Sequence, residues 1–200
     1  MRVNKTNKDK LRRLVLKASE NLNQIQKIVG RSNIVDARVK FPRGYFRTTD
    51  QTRKLLPVTY GIFDETKIRN ICYSLQMADL LRWLAIRTDL DGMLLSQVVK
   101  EFICIHGHAI DYILTASSEE LGLSVEEKPF KKRSSALVAA RHIEPETKRD
   151  IDWIWDIRCR EHPDKLDDLE TTYYRRSDAN RARKIFEDFC EEVGKAVIFK

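Results

Sequence analysis

The stretch Met93–Ala116, "MLLSQVVKEFICIHGHAIDYILTA", has the clearest periodicity in the chain and decides its fold class. Its apolar residues recur at helical spacing and make one broad stripe, which also includes a histidine: Leu95, Val98, Val99, Phe102, Ile103, His106, Ala109, Ile110, Ile113 and Leu114. A stripe of this width is typical of a helix that buries a whole side in a core. The pattern predicts a long core helix near the middle of the chain.

Helical patterns continue on both sides of this stretch. They predict helices over about residues 8–29, 65–87, 93–116, 130–141, 145–162 and 179–196. Residues 31–62 show no sustained period and contain two prolines and two glycines, which indicates an irregular arm, with a short strand as an option for "IVDARVKF". We therefore predict an all-α bundle of five to six helices, with a long irregular arm between the first two helices. Residues 1–62 would form a basic helix and an arm that packs on the bundle, and residues 63–200 the helical domain.

Charge is distributed unevenly along the chain. Its 200 residues have a net charge of +7, but residues 1–60 hold 15 Lys and Arg against 4 Asp and Glu, and the rest is mildly acidic. A basic segment attracts phosphate backbones, and it can equally neutralise an acidic body in the same chain or a partner. No apolar run approaches the roughly 18 residues of a membrane helix, and "MRVNKTNKDK" lacks a signal peptide's apolar stretch. We expect a cytoplasmic protein without membrane association.

Cysteine and histidine placement indicates packed side chains more than a metal centre. The cysteines lie far apart, without a C-x-x-C pair, at Cys72, Cys104, Cys159 and Cys190. Cys104 and His108 share a helical face, but His106 belongs to the apolar stripe and no H-E-x-x-H pattern is present. Glycine-rich phosphate motifs and G-x-S-x-G are absent too. The sequence therefore predicts neither metal ligands nor a cofactor.

The segment "IDWIWDIRCREHP" places an arginine and a histidine on one helical face. Arg158 and His162 are four residues apart, so both project from the same side of a helix. Arginine is an always-charged fork suited to phosphate, and histidine can transfer a proton near neutral pH. Such a pair is sufficient for RNA cleavage without a metal. The alternative is an ordinary helix end, where basic groups favour the negative end of the helix dipole.

The same segment resembles the signature helix of HEPN domains (higher eukaryotes and prokaryotes nucleotide-binding). The stretch from Ile68 to Leu114 is similar to the family's first long helical hairpin, and Pro129–Arg158 resembles the helix and turn that lead into the motif. The resemblance spans about residues 65–196. It implies a helical bundle, often a two-fold dimer, in which Arg158 and His162 are the catalytic pair of a metal-independent endoribonuclease.

The resemblance also suggests partners and an alternative function. Many members belong to toxin–antitoxin or phage-defence systems, which implies single-stranded RNA as substrate and an antitoxin or a nucleotidyltransferase as partner. Other members keep the fold without activity. Here only three residues separate Arg158 from His162, and Cys159 follows the arginine where the family tends to have a polar residue. A non-catalytic interaction or scaffold module is therefore the alternative.

Two features predict a homodimer. The second long helix has apolar residues on two faces, which suits either a central helix or a subunit interface. Trp153 and Trp155 are costly to expose to water, and an interface would cover them.

Basic and aromatic residues are interleaved in "ARVKFPRGYFRTTDQTRK". A single-stranded nucleic acid needs cations for its phosphates and rings for its bases, which makes a binding set of Arg38, Lys40, Arg43, Arg47, Arg53 and Lys54, extended by Arg160 in "RCREH". The alternative is that the aromatics pack the arm on its own bundle while the cations face water. If the set binds RNA, replacing Arg43, Arg47 and Arg53 by alanine should weaken RNA binding and leave the thermal midpoint almost unchanged, because exposed charges contribute little to stability.

Overall fold

The protein is helical throughout the part of the chain that its computed structural model describes, residues 5–32, 44–56, 65–123, 129–160 and 172–198. Within these ranges there is no strand, and there are seven helices: α1 (Lys5–Val29), α2 (Thr49–Arg53), α3 (Glu65–Arg87), α4 (Gly92–Glu120), α5 (Phe130–Ala139), α6 (Pro145–Arg158) and α7 (Arg176–Ile198). The all-α prediction is confirmed. "IVDARVKF" lies outside the described residues, and the prediction of a short strand there stays a prediction.

Helix α4 is the centre of the bundle. It contacts α3, α5, α6 and α7, because its predicted stripe is buried almost completely. The side chains of Val99, Ile103, Ile110, Ile113 and Leu114 have no exposed surface. The neighbouring helices cover α4 from several directions, which is the arrangement that a broad apolar stripe favours.

Helices α6 and α7 each bury one stripe against the core. Pro145 occupies the first turn of α6, and Ile151, Ile154 and Ile157 are the buried residues of its inner side. The start of α7 is fixed to the end of α3, because Arg176 Nε donates to the carbonyl of Ala85 at 2.5 Å. The bundle therefore holds the C-terminal end of α6 over the middle of α4.

The chain divides into two compact units, Met1–Arg43 and Gly44–Lys200. This division falls earlier than the predicted boundary at residues 62 and 63, because residues 44–56 contact α3. Thr48 and Gln51 form a capping box at the start of α2, and Gln76 of α3 donates to the carbonyl of Arg47 at 3.0 Å. The described part of the first unit is α1 with the turn that follows it.

The tryptophans of α6 are covered within the chain. Trp155 stacks on Phe130, with 4.3 Å between ring centroids and 4° between ring planes. The guanidinium of Arg181 lies 4.1 Å from the centroid of Trp153. Since both rings have partners, their apolar surface no longer argues for a subunit interface. The outer side of α3 does keep exposed apolar residues, among them Tyr73 and Met77.

No helix in these ranges combines the length and the apolar character that crossing a bilayer requires.

Candidate functional site

Arg158 is the last residue of α6, and an aromatic stack positions it. Its guanidinium carbon lies 4.5 Å from the centroid of Trp155, the ring that stacks on Phe130. A guanidinium over an indole is held by its attraction to the face of the ring, without loss of its charge. The Nε of Arg158 is buried without a hydrogen-bond partner, and no described carboxylate forms an ion pair with this side chain. Arg158 is thus a fixed cation that the described fold leaves unneutralised.

Gly107 of α4 makes room for this arginine. A Cβ atom at residue 107 would lie 3.1 Å from Ile154 Cγ2 and 3.3 Å from Arg158 Cβ, closer than ordinary van der Waals contact. The absence of a side chain at Gly107 therefore lets α6 approach α4 closely where Arg158 leaves the helix. The packing of α6 on α4 and the position of Arg158 depend on the same glycine.

Lys100 holds the turn that follows Arg158. It is buried, with 4% of its surface exposed, and its Nζ donates to the carbonyl of Arg160 at 2.6 Å. A cation at the C-terminal end of a helix satisfies carbonyls that have no partner within the helix and complements the dipole. The sequence analysis did not identify this residue. The available signal was a lysine at helical spacing from Ser96, Ile103 and Gly107 on the buried side of α4.

A cleft of about 440 Å³ opens beside Arg158. The lining side chains come from the end of α6, the outward face of α4 and the start of α3: Arg158, His108, Asp111, Tyr112, Thr115, Ala116, Glu119 and Lys67. Asp111 is paired with Arg133 of α5, so its charge is compensated inside the protein. The lining also includes the cations Arg158 and Lys67 and the anion Glu119. This arrangement suits an anionic group with one or two negative charges.

The cleft contains an imidazole other than the predicted one. His108 is exposed and lines the cleft on the α4 side. His162 lies outside the described residues, so the predicted pair of Arg158 and His162 stays a prediction. The structure brings Arg158 and His108 to one cavity although 50 residues separate them in the sequence. The sequence analysis considered His108 only as a metal ligand.

His106 is a core residue. Its ring lies 4.3 Å from that of Phe102 and 5.4 Å from that of Phe186, and Nδ1 is 2.8 Å from the Phe102 carbonyl. Burial lowers the pKa of His106 to about 4, so the ring is neutral near neutral pH. Cys104 is buried as well, whereas His108 points to the cleft. Among the described residues, no three His, Cys, Asp or Glu side chains lie together to hold a metal ion.

The predicted nucleic-acid-binding cations have different positions. Arg47 makes a two-pronged pair with Asp79, which is 8% exposed, through Nε–Oδ2 at 2.8 Å and Nη2–Oδ1 at 2.5 Å. Arg53 pairs with Glu65, and this hydrogen bond lowers the pKa of the carboxyl group. Lys54 and Arg160 are exposed. Arg38, Lys40 and Arg43 lie outside the described residues.

These pairs change one expectation of the sequence analysis. Arg47 stabilises the contact between residues 44–56 and α3, so its replacement should lower the thermal midpoint and not leave it unchanged. Tyr45 and Phe46 are half-buried and contact each other edge to face, with 5.7 Å between their centroids. For the described part of the arm, packing on the bundle is therefore the better account.

The cleft beside Arg158 brings together the residues of the described chain that are best suited to bind an anion and transfer a proton. A charged guanidinium without a carboxylate partner, a second cation and an imidazole share one cavity. Such a set can bind an anion and transfer a proton next to it. Comparison of the chain with protein-family models, with curated proteins and with solved structures finds no match.

Proposed function

We propose that the protein binds single-stranded RNA at the Arg158 cleft and cleaves it without a metal ion, as a HEPN-like endoribonuclease. The observation that supports this proposal best is the state of Arg158. Its guanidinium is fixed by the Trp155 ring, its Nε has no partner, and it borders an open cavity. A fixed guanidinium is the group that best recognises the planar fork of phosphate oxygens.

The chemistry follows from the groups that border the phosphate. A base removes the proton of the ribose 2′-hydroxyl, the 2′-oxygen attacks phosphorus, and the 5′-oxygen leaves with a proton from an acid. The products are a 2′,3′-cyclic phosphate and a 5′-hydroxyl. We propose that Arg158 offsets the charge that develops on the phosphate oxygens and that His162 carries out one of the two proton transfers. His108, which lines the same cleft, is the candidate for the second proton transfer.

The size and charge of the cleft support binding of a nucleotide unit. Its volume of about 440 Å³ lies within the range of ligand pockets, roughly 300–1,000 Å³. Lys67 adds a second cation for a neighbouring phosphate, and Tyr112 supplies an aromatic ring on which a base can stack. Glu119 weakens anion binding, so affinity for a single phosphate should be low and should increase with RNA length.

The test uses the full chain and a labelled single-stranded RNA in buffer with EDTA. Wild type should produce fragments with cyclic phosphate ends. Arg158→Gln should reduce the cleavage rate at least ~100-fold, the usual scale for loss of a transition-state donor. The control is Arg149→Gln, which removes an exposed arginine of the same helix that does not line the cleft. Equal activity of Arg158→Gln and wild type would contradict the proposal.

A second candidate function is a non-catalytic interaction module. The observation that favours it is Glu119, which places a negative charge in the cleft where an RNA enzyme would need only cations. In that case the cleft would receive a side chain of a partner protein and RNA would stay intact. Wild-type protein that binds RNA or a partner in an Arg158-dependent manner, but leaves RNA uncut at every pH between about 5 and 8, would assign this function.

A further inference from the structure

We propose that α1 pairs with α1 of a second copy of this chain as a parallel two-stranded coiled coil. The proposal concerns a surface outside the Arg158 cleft and does not depend on the proposed function. Its basis is a stripe of apolar side chains along α1, called here the α1 seam: Leu11, Val15, Ala18, Leu22, Ile25 and Val29. Their spacings alternate between 4 and 3, the repeat of a coiled-coil core.

Within residues 5–32, the described part of its unit, the α1 seam is mostly exposed, with Ile25 and Val29 half-buried. Leu11 is 52% exposed, Val15 55% and Leu22 49%. The unit Met1–Arg43 contains no second helix in its described part, residues 5–32. A helix of 25 residues gains most of its stability in a protein from packing of its apolar side. We therefore expect an exposed apolar stripe of this length to pack against another helix.

The positions of the cations favour a second copy over RNA or a membrane. With Leu11 as a d position and Val15 as an a position, four of the seven basic residues of α1 fall at the outward c and f positions: Lys10, Arg13, Lys17 and Lys27. The positions that flank the seam carry two charges, Lys5 and Arg12 at e, and otherwise Leu14, Asn21 and Ile28 at g and Ser19 and Gln26 at e. An anionic surface would need cations beside the stripe, whereas two equal helices need them away from it.

The identity of the seam residues favours two parallel strands. The β-branched Val15 and Val29 occupy a positions, which suits parallel dimers. Lys8 occupies the a position before them, and a single lysine there sets the register at some cost in stability. Leu14 and Ile28 at g, 57% and 83% exposed, add apolar surface at the edge of the contact. Gly30, with φ +58°, ends the helix and the coiled coil together.

The test compares two leucines of one helix in the full-length protein. Leu22 lies in the seam and Leu16 at an outward b position, and they are 49% and 55% exposed. Leu22→Asp and Leu16→Asp make the same chemical change, so helix propensity and lost apolar area are matched. Sedimentation velocity over a concentration series should show a wild-type dimer. Leu22→Asp should raise the dimer dissociation constant at least ~100-fold, while Leu16→Asp should leave it near that of wild type.

Orientation is tested by cross-linking in a Cys159→Ser background. Oxidised Lys8→Cys should form a disulfide-linked dimer, because the a positions of parallel strands meet, and Asp9→Cys at the b position should not. Circular dichroism of each variant checks that the helices form. A wild-type protein that is monomeric at about 100 μM, or a dimer that survives Leu22→Asp, would overturn the proposal. So would a monomer that sediments with vesicles of phosphatidylserine and phosphatidylcholine and loses that property in Leu22→Asp.

Discussion

Replacing His106 by leucine should remove a large part of the protein's sensitivity to acid. Burial is the main reason for the low pKa of His106, about 4, and the charges of Arg47 and Arg183 lower it further, while the carbonyl of Phe102 and the charge of Asp79 act in the opposite direction. Leucine has a similar volume, so packing against Phe102 and Phe186 should change little. The Phe102 carbonyl keeps its helical hydrogen bond from the amide of residue 106.

The size of the effect follows from the two pKa values. The unfolded chain binds a proton on His106 near pH 6.5, and the folded chain near pH 4. As the pH falls, His106 is protonated first in the unfolded state, and this protonation favours unfolding. The full unfolding free energy is therefore present above about pH 6.5, and part of it is lost as the pH falls toward 4. Between about pH 7.5 and pH 4.5 the loss of unfolding free energy amounts to roughly 2–3 kcal/mol.

The assay is urea unfolding of wild type and His106→Leu at a series of pH values. As the pH falls, wild type should lose the unfolding free energy that depends on His106 together with the part that depends on other titrating groups. The variant should lose only the part that depends on those other groups. The difference in unfolding free energy between them should therefore change by about 2–3 kcal/mol in favour of the variant at low pH. His142→Gln, which keeps His106, is the control and should retain the acid loss. Parallel pH curves for wild type and His106→Leu would refute the assignment of His106 as a buried neutral ring.

Three further predictions concern packing, the arm and RNA binding. Gly107→Ala should lower the unfolding free energy by about 1 kcal/mol in urea titrations, because overpacking against α6 (about 1–3 kcal/mol) exceeds the gain in helix propensity (about 1 kcal/mol). Asp79→Ala should destabilise the protein by about 2 kcal/mol, since it leaves Arg47 without its partner; Arg47 keeps 30% side-chain exposure, so the cost stays below that of a fully buried pair. Lys54→Ala and Arg160→Ala should each lower the slope of log affinity for RNA against log salt by about 0.7 if the cation contacts phosphate, with little change in the thermal midpoint.

The long helices were predictable because each has its own stripe of apolar residues at helical spacing. The predicted start and end of the helix at residues 65–87 match α3, and the start of α1, the end of α5 and both ends of α7 differ by two or three residues. The prediction for α6 was wrong at its end, because the helix ends at Arg158 and not at residue 162, so the helical spacing that related Arg158 to His162 does not continue past Arg158. Helix α4 runs on to Glu120, past the predicted end at residue 116. The sequence "SSEE" reads as a break, but Thr115 and Ser118 satisfy their hydroxyls inside the helix, by hydrogen bonds to Asp111 and Leu114. Helix α2 was missed although its capping pattern was readable.

The candidate site was predictable only in part. Arg158 was identified from its residue type and its place at a helix end. The cleft around it depends on α4, α5 and the start of α3, and contacts between segments so far apart in the sequence leave no periodic signal. The same limit applies to Arg47: a basic residue among aromatics favours RNA binding on sequence grounds, but its carboxylate partner Asp79 is 32 residues away.

The exposed thiol of Cys159 gives chemical access to the residue that follows Arg158 at the end of α6. All four cysteines belong to the described chain, and Cys72, Cys104 and Cys190 are buried, with burial raising the pKa of Cys72 and Cys190. Thiol-reactive probes attack thiolates at accessible positions, so the native protein should be labelled at Cys159 alone. Since this residue follows Arg158 directly in the sequence, a fluorophore or spin label can be attached next to Arg158 without a single engineered substitution. A ligand of the cleft that extends as far as Cys159 should slow the labelling of this one sulfur atom.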